Sequence, residues 1–460
     1  MPEASPSNVE PPPPTPTHKR ATWKFNLIVA LISVLAPIGI VAALILAPIW
    51  DGPPPDDADM FWERETVPED ENGFELLLAA LDILDMQSST IFDFKNWIES
   101  PLAHQEEVLK ALEANRPLFK VLEQALSKGR LQSPPIDFSD SHVPWVSPAL
   151  AASTLLRLAA QDAENPLEAQ KYVGLALALG DQLLQYADYM VAVAVGAACR
   201  TEANHAVLHL ARDPKTQTEY LWQILSMLTE NTTPWTPWKN ALRTEYQFLK
   251  YALAYIHKNQ KYYFFNENGN SYATIPFAFQ PNNTRRAGLE AYQNPMLSLK
   301  TGNLQALINS DRFISELDNE IRSKPVWDPR RYFNRTGKRL LLELYPSYDG
   351  FAIQAFRHQA ENRATILVTA LQLYQREQGE FPQTLQDLVP AYLAAIPADP
   401  FDGHPFRYDR DKAIVYAIGE NLVDNGGSTK MRGSPRTPSR SGAEDFVFGI
   451  LAPIDFTAGD

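Results

Sequence analysis

Glu202, His205, His209 and Asp213 lie close together at the end of one helical stretch, MVAVAVGAACRTEANHAVLHLAR. Spacings of three and four place such side chains on one face of a helix. Imidazoles at i and i+4 bind Zn²⁺ when a third ligand arrives from elsewhere in the fold. The chemistry that would follow is that of an envelope metallohydrolase built on Glu202, His205 and His209. The pattern is incomplete, however. EANH at 202–205 is a Glu-x-x-His that di-iron bundles need twice. HAVLH at 205–209 lacks the glutamate of His-Glu-x-x-His. The plainer expectation is two half-exposed histidines with ion pairs along the helix. The chain contains no Gly-x-x-x-x-Gly-Lys-Ser/Thr loop, Gly-x-Gly-x-x-Gly, Gly-x-Ser-x-Gly or Cys-x-x-Cys. No catalytic residue is assigned, and the reading leans away from an enzyme. Cys199 is the one cysteine, so no intrachain disulfide can form. Set in an apolar helix, it reads as buried and inert.

The elements that must position this face are helices. Residues 149–229 are rich in Ala, Leu and Gln, with apolar positions at three- and four-residue spacing. Breaks fall at Asn165-Pro166, Tyr186-Ala187 and Asp213-Pro214. Consecutive antiparallel helices of this kind form an α-hairpin stack, helical-repeat-like but without a fixed consensus. Earlier helices are expected in FELLLAALDIL after Pro68, in HQEEVLKALEA, and from Asn115 to Lys128, ended by Gly129. A further helix spans Trp235 to Lys258. Residues 259–299 lose periodicity and read as an ordered loop or irregular lobe, and helix returns at Gly302–Ser323. Lys324, Arg330, Arg331, Arg335, Lys338 and Arg339 form a basic cluster. Its members are expected to be solvated or paired with acids, the alternative being contact with anionic headgroups or glycan.

Ahead of this body lies Phe25 to Trp50, an uncharged run in which only Asn26 and Ser33 carry polar side chains. At about 1.5 Å per residue it spans the roughly 30 Å hydrocarbon core of a bilayer. It exceeds the apolar region of a cleaved signal peptide. Trp23 and Trp50 mark its ends. His18, Lys19, Arg20 and Lys24 precede it, and Asp51, Asp56, Asp57 and Asp59 follow. That asymmetry places the N-terminus in the cytoplasm and the body outside. A net charge of −14 argues against a nucleic-acid partner, which would require a dominant basic field.

The last hundred residues carry a second pattern. Residues 351–378 form a long amphipathic helix that Gly379 ends. Thr384 and Asp387 resemble a capping box for a short helix over Thr384–Leu388. Phe406–Tyr408 and Ala413–Ile418 alternate as strands around the turn DRDK, and Asp445–Phe448 supplies a third. Leu371, Tyr374, Leu385, Leu388, Tyr408, Val415 and Tyr416 are expected to share one core. Leu373-Tyr374, Arg376, Gly379-Glu380-Phe381-Pro382, Thr384-Leu385, Leu388-Val389-Pro390, Tyr392-Leu393, Pro397, Asp399-Pro400, Gly403, Pro405, Tyr408 and Tyr416-Ala417-Ile418-Gly419 come in a characteristic order. In that order they resemble the periplasmic domain of the major pseudopilins of type II secretion systems. Similar tails also end bacterial membrane-anchored helical proteins, which the rest of the chain resembles. The resemblance implies a small α+β module and a Ca²⁺ loop, here with Asp424 and Asp445 as the acidic ligands and Glu420, Asn421, Asn425 and Glu444 nearby. Lys430, Arg432, Arg436 and Arg440 lie between them and oppose a cation. KRATWKFNLIV lacks the Gly-Phe-x-x-x-Glu-type processing site of that family.

The expected architecture is mainly α, with a single transmembrane helix, a helical-hairpin body and a small α+β pseudopilin-like module. The divisions are a Pro-rich cytoplasmic tail (1–24), the anchor (25–50), a linker (51–67), a helical extracytoplasmic domain (68–345) and the C-terminal module (346–460). The expected role is a non-catalytic scaffold or protein-interaction protein at the bacterial inner membrane. It would contact lipid through 25–50 and an envelope protein through its body. The rivals are the metallohydrolase and a divergent part of a type II secretion or pilus-like machine.

Overall fold

The computed structural model describes residues 50–84, 105–135, 143–230, 235–259, 279–307, 312–323, 325, 333–344, 348–428 and 445–452, with helical residues at 29, 31–33, 35 and 36. The tail, most of the Phe25–Trp50 run, Lys324, Arg330, Arg331 and the 429–444 insertion with its four basic residues lie outside the described residues. Among the described residues no helix is long and apolar enough to cross a membrane. The architecture is mainly helical with one three-stranded sheet.

The helices are α1 (Phe74–Ile83), α2 (Gln105–Ala114), α3 (Arg116–Leu126), α4 (Val146–Asp162), α5 (Pro166–Gln185), α6 (Met190–Arg212), α7 (Thr218–Glu230), α8 (Thr236–Asn259), α9 (Pro281–Thr301), α10 (Arg312–Arg322), α11 (Arg335–Leu344) and α12 (Tyr348–Gln378). Asn165 caps α5 by accepting the Leu167 N–H at 2.9 Å, with Pro166 in the first turn. Pro68 does not open α1. It heads a turn whose carbonyl accepts the Glu71 and Asn72 N–H groups, and the helix starts at Phe74. Residues 281–299, expected as irregular, belong to α9. Its own side chains do not cap it. The cap is Asp51, which accepts the Asn282 and Asn283 N–H groups at 3.1 and 2.9 Å. A cap supplied from so far away in sequence leaves no local signal.

Helices α5 and α6 run antiparallel in close contact. A methyl at Gly180 would stand 2.6 Å from the Arg200 nitrogen, and one at Gly196 would stand 2.6 Å from the Leu184 nitrogen. The obstacle in both cases is backbone, which cannot swing aside. Gly174 on α5 meets nothing within 4 Å. Gly174→Ala should therefore raise stability by about 0.5–1 kcal/mol through helix propensity. Gly180→Ala and Gly196→Ala should each lower it by about 1–3 kcal/mol through overpacking. Urea unfolding of the three variants checks the sign, and a stabilising Gly180→Ala would refute this crossing.

Helix α12 was expected to be amphipathic, with one exposed face. It is buried on most sides, against α6, α7, α8 and α9 and against the sheet. Trp238 packs on Phe351 at 4.9 Å and Trp235 on Phe356 at 4.8 Å between ring centroids. One hydrophobic cluster runs from Met60 to Ile450 without a break at residue 346. The division there marks a change of sequence pattern, and α12 serves the packing on both sides of it.

The sheet has β1 (Arg407–Asp409), β2 (Ile414–Ala417) and β3 (Phe446–Gly449), antiparallel in the order β1-β2-β3. Thr384 and Asp387 form a capping box on a 3-10 turn at Leu385–Leu388. Leu371, Leu385, Leu388 and Val415 are buried in the main core, with Tyr374 and Tyr408 packed against it. Tyr416 departs from expectation. Strand alternation turns it to the opposite face from Val415, where it clusters with Ile414 and Val447. Gly427 (φ +75°) passes so near that a methyl would stand 2.5 Å from Ile414 Cδ1.

Candidate functional site

The α6 histidine face meets α4 and α12. Arg157 of α4 donates from Nη1 to Glu202 Oε2 at 3.2 Å and lies 3.1 Å from His205 Nδ1. A guanidinium has no acceptor, so Nδ1 accepts, and a neutral ring carries its proton on Nε2. That nitrogen lies 3.7 Å from Glu361 Oε1 of α12, and the Thr201 hydroxyl donates to Glu361 Oε2 at 3.1 Å. His209 is one turn further along and exposed. The protein around its ring lowers its pKa, Asp213 opposes that shift, and Arg157 and Arg212 reinforce it.

Among the described residues His205 and His209 meet no third ligand. Among the described residues no group of three or more His, Cys, Asp or Glu side chains is placed to hold a metal ion. Glu202 and His205 are engaged by residues of α4 and α12. Glu202 is held by Arg157, and the Nδ1 of His205 faces a guanidinium that a cation would have to displace. Cys199 is fully buried, and burial pushes its thiol up to about 12, so it stays protonated and unreactive.

Behind this face runs a buried polar chain that sequence reasoning missed. Arg200, 1% exposed, pairs through Nη1 with Asp181 of α5 and donates from Nε to Asn204 at 3.3 Å. Asn204 donates to Asn362 of α12 at 2.7 Å, and Asn362 lies 3.0 Å from His358 Nε2. Burial first, and the Arg200 charge second, push His358 down to about 3, so it stays neutral. The available signal was Arg157 and Arg200, each set directly after a run of apolar and small residues, and the polar run His358, Gln359, Glu361, Asn362 within α12. Such isolated polar groups must find partners when buried.

The second candidate is the loop between β2 and β3. Asp445 is buried and accepts backbone N–H groups from Asn425 at 3.2 Å on one oxygen, and from Gly427 at 2.8 Å and Ser428 at 3.0 Å on the other. Asp424 Oδ1 accepts the Tyr416 hydroxyl at 3.2 Å and the Gly426 N–H at 2.9 Å, and its Oδ2 lies 3.7 Å from Arg407 Nε. Glu420 pairs with Arg357, and Asn421 with Asn425. Ca²⁺ needs converging oxygen lone pairs at about 2.3–2.6 Å. Among the described residues those lone pairs point at N–H donors, the Tyr416 hydroxyl and a guanidinium, and Glu444 lies outside the described residues.

Arg407 organises the module instead. It reaches Asp399 Oδ2 at 2.6 Å and pairs with Asp402. Asp399, fully buried, also accepts the Phe401 N–H at 2.8 Å and the Ile418 N–H at 2.9 Å. The module is locked to the body by carbonyl contacts. Arg376 donates to the carbonyls of Ala211 and Asp213 at 2.8 Å each and Arg212 to Gly449 O at 2.7 Å, while within the module Gln372 donates to Ile450 O at 2.8 Å. No family model, curated protein or solved structure matches the chain.

Proposed function

We propose that the chain is a single-pass, membrane-anchored scaffold or protein-interaction protein of the bacterial cell envelope, non-catalytic, with its N-terminus in the cytoplasm and its body outside. The observation that carries this reading is the uncharged Phe25–Trp50 run between a basic and an acidic flank. Its helical residues Val29, Leu31, Ile32 and Leu35 form a contiguous exposed apolar stretch, the kind of surface that marks membrane or protein contact, and this supports it. The internal pairing of the α6 face favours a structural role over a hydrolytic one. A groove of about 400 Å³, with Leu109, Leu112 and Phe119 among Glu113, Arg116 and Glu164, offers a mixed, mainly polar surface for a protein partner.

Helix α12 followed by an antiparallel sheet supports the pseudopilin-like reading of the C-terminal module. The burial of α12 among α6–α9 favours reuse of that module over assembly into a polymer. A reporter fused after Asp460 should be active only outside the cytoplasm. A photo-crosslinking residue at Leu109 should give a discrete protein adduct in native membranes, lost on Arg116→Glu. Activity of a cytoplasm-only reporter would refute the topology, and absence of any adduct would refute a partner at this groove.

A further inference from the structure

The acidic stretch after the apolar run reads in the sequence as a linker. Seventeen extended residues, 51–67, would permit a stand-off of roughly 55–60 Å. The structure spends that length on the body itself. The Trp50 carbonyl accepts the Asn283 side-chain amide at 3.1 Å. Asp51 caps α9, Gly52 O accepts from Asn282 at 3.0 Å, and Pro53 O accepts from Arg286 at 2.8 Å. Asp57 is gripped by Arg285 (3.0 Å from Nε), the Tyr246 hydroxyl (2.8 Å) and Lys250 (3.1 Å). Asp59 meets Lys300 at 3.2 Å, and Met60 is buried. The first fixed residue is thus the last residue of the apolar run, and no free chain remains between them.

The place where Trp50 is fixed has a distinctive surface. Contacts of Tyr246 with Tyr292, of Leu249 with Gly288 and of His257 with Phe279 run α8 and α9 antiparallel, so the end of α8 lies beside the start of α9. His257 lies near Phe279 there, at 6.5 Å between ring centroids. At that end Tyr251 and Tyr255 are 48% and 56% exposed with rings 6.3 Å apart, Trp50 is 70% exposed, and His257 and Lys258 are exposed. Tyr and Trp with neighbouring cations are the side chains that settle in a phospholipid headgroup layer.

We infer that the Trp50 end of the body, formed by the C-terminal turns of α8 and the N-terminus of α9, rests on the bilayer surface, with Tyr251 and Tyr255 in the headgroup layer. This inference rests on the membrane-anchored reading. The occupant is fixed by chain length. A bilayer entered at Trp50 lies against whatever surrounds Trp50, and the strap prevents the body from moving off.

The test uses the full chain in vesicles of phosphatidylcholine and phosphatidylglycerol (about 3:1) with a nitroxide on a fraction of the headgroups. The buried thiol of Cys199 does not compete for label, so Tyr251→Cys, Tyr255→Cys and, at the far end, Leu167→Cys can each carry one environment-sensitive fluorophore. Leu167 is exposed and lies by Met227, near the end of α7. It is therefore about a whole α8 length, roughly 35 Å, from the Trp50 end. Labels at 251 and 255 should lose about half or more of their emission in nitroxide vesicles, and the label at 167 almost none, as headgroup residence requires. Equal emission at all three sites, in chain that survives an alkaline wash of the vesicles, overturns this orientation and leaves the anchor standing. Removal of the chain by that wash overturns both.

Discussion

Replacing Arg200 by Met should lower stability by about 3–5 kcal/mol at neutral pH, because it strands a carboxylate inside the protein. Met fills most of the space but cannot neutralise Asp181, whose side chain is only 14% exposed and whose Oδ1 has no hydrogen-bond partner. Arg157→Met is the comparison. Its pair with Glu202 is more open, at 13% and 20% side-chain exposure, and the cost should be about 1 kcal/mol. The loss at Arg200 should depend on pH with a definite sign. Burial already raises Asp181 above its ordinary value while Arg200 pulls it down. Without Arg200 it rises further. A group whose folded pKa exceeds its unfolded value binds its proton more readily in the native state, so the variant regains stability as pH falls through the folded pKa. The recovery is at most about 1.4 kcal/mol per pH unit and ends near the unfolded value of about 3.9. Adding Asp181→Leu should restore most of the stability at neutral pH, since an apolar pair of similar volume replaces a buried ion pair at little cost. Chemical denaturation from pH 5 to 8 reads all of this. A deficit that stays constant with pH and survives the second substitution would show that packing, and not the stranded charge, carries the effect.

Asp399→Ala should cost a similar amount, about 3–5 kcal/mol, for a different reason. It removes the shared acceptor of the Phe401 and Ile418 N–H groups and of Arg407, and leaves buried donors with nothing to bond. Asp402→Ala, which removes only a partly exposed partner of Arg407, should cost about 1 kcal/mol or less. Because the sheet is bonded to α6 and α12, the Asp399 variant should unfold in one transition with the helical body. Separate melting of the module, with the body unchanged, would refute the shared core.

What could be read in the sequence was what is written locally. The helices of 149–229 announce themselves through Ala and Leu at helical spacing, and the strands through alternation around DRDK. The Thr384–Asp387 box and the Gly379 stop are short-range devices, and the structure has both. What could not be read is set by contacts distant along the chain. The cap of α9 arrives from Asp51. The partners of His205 are Arg157 and Glu361, on helices 48 and 156 residues away. The 3.6-residue period showed α12 to be a helix, but not that its polar positions would be buried as well. Spacing alone left Asp424 and Asp445 open as cation ligands, since nothing local states that backbone N–H groups of 425–428 turn toward them.

The central position of α12 bears on how the protein is made. A chain synthesised from its N-terminus presents α6, α7, α8 and α9 long before residues 348–378 exist. Until then the surfaces that will receive Phe351, Phe356 and Leu367 are uncovered, and the Asn204 side-chain N–H lacks its Asn362 acceptor. Folding cannot conclude domain by domain along the chain, as it does where each unit closes its own core. The nascent body must be kept from associating with its neighbours until its last quarter is delivered. A ribosome that stops anywhere before α12 leaves a product with an open core, which quality-control proteases can recognise.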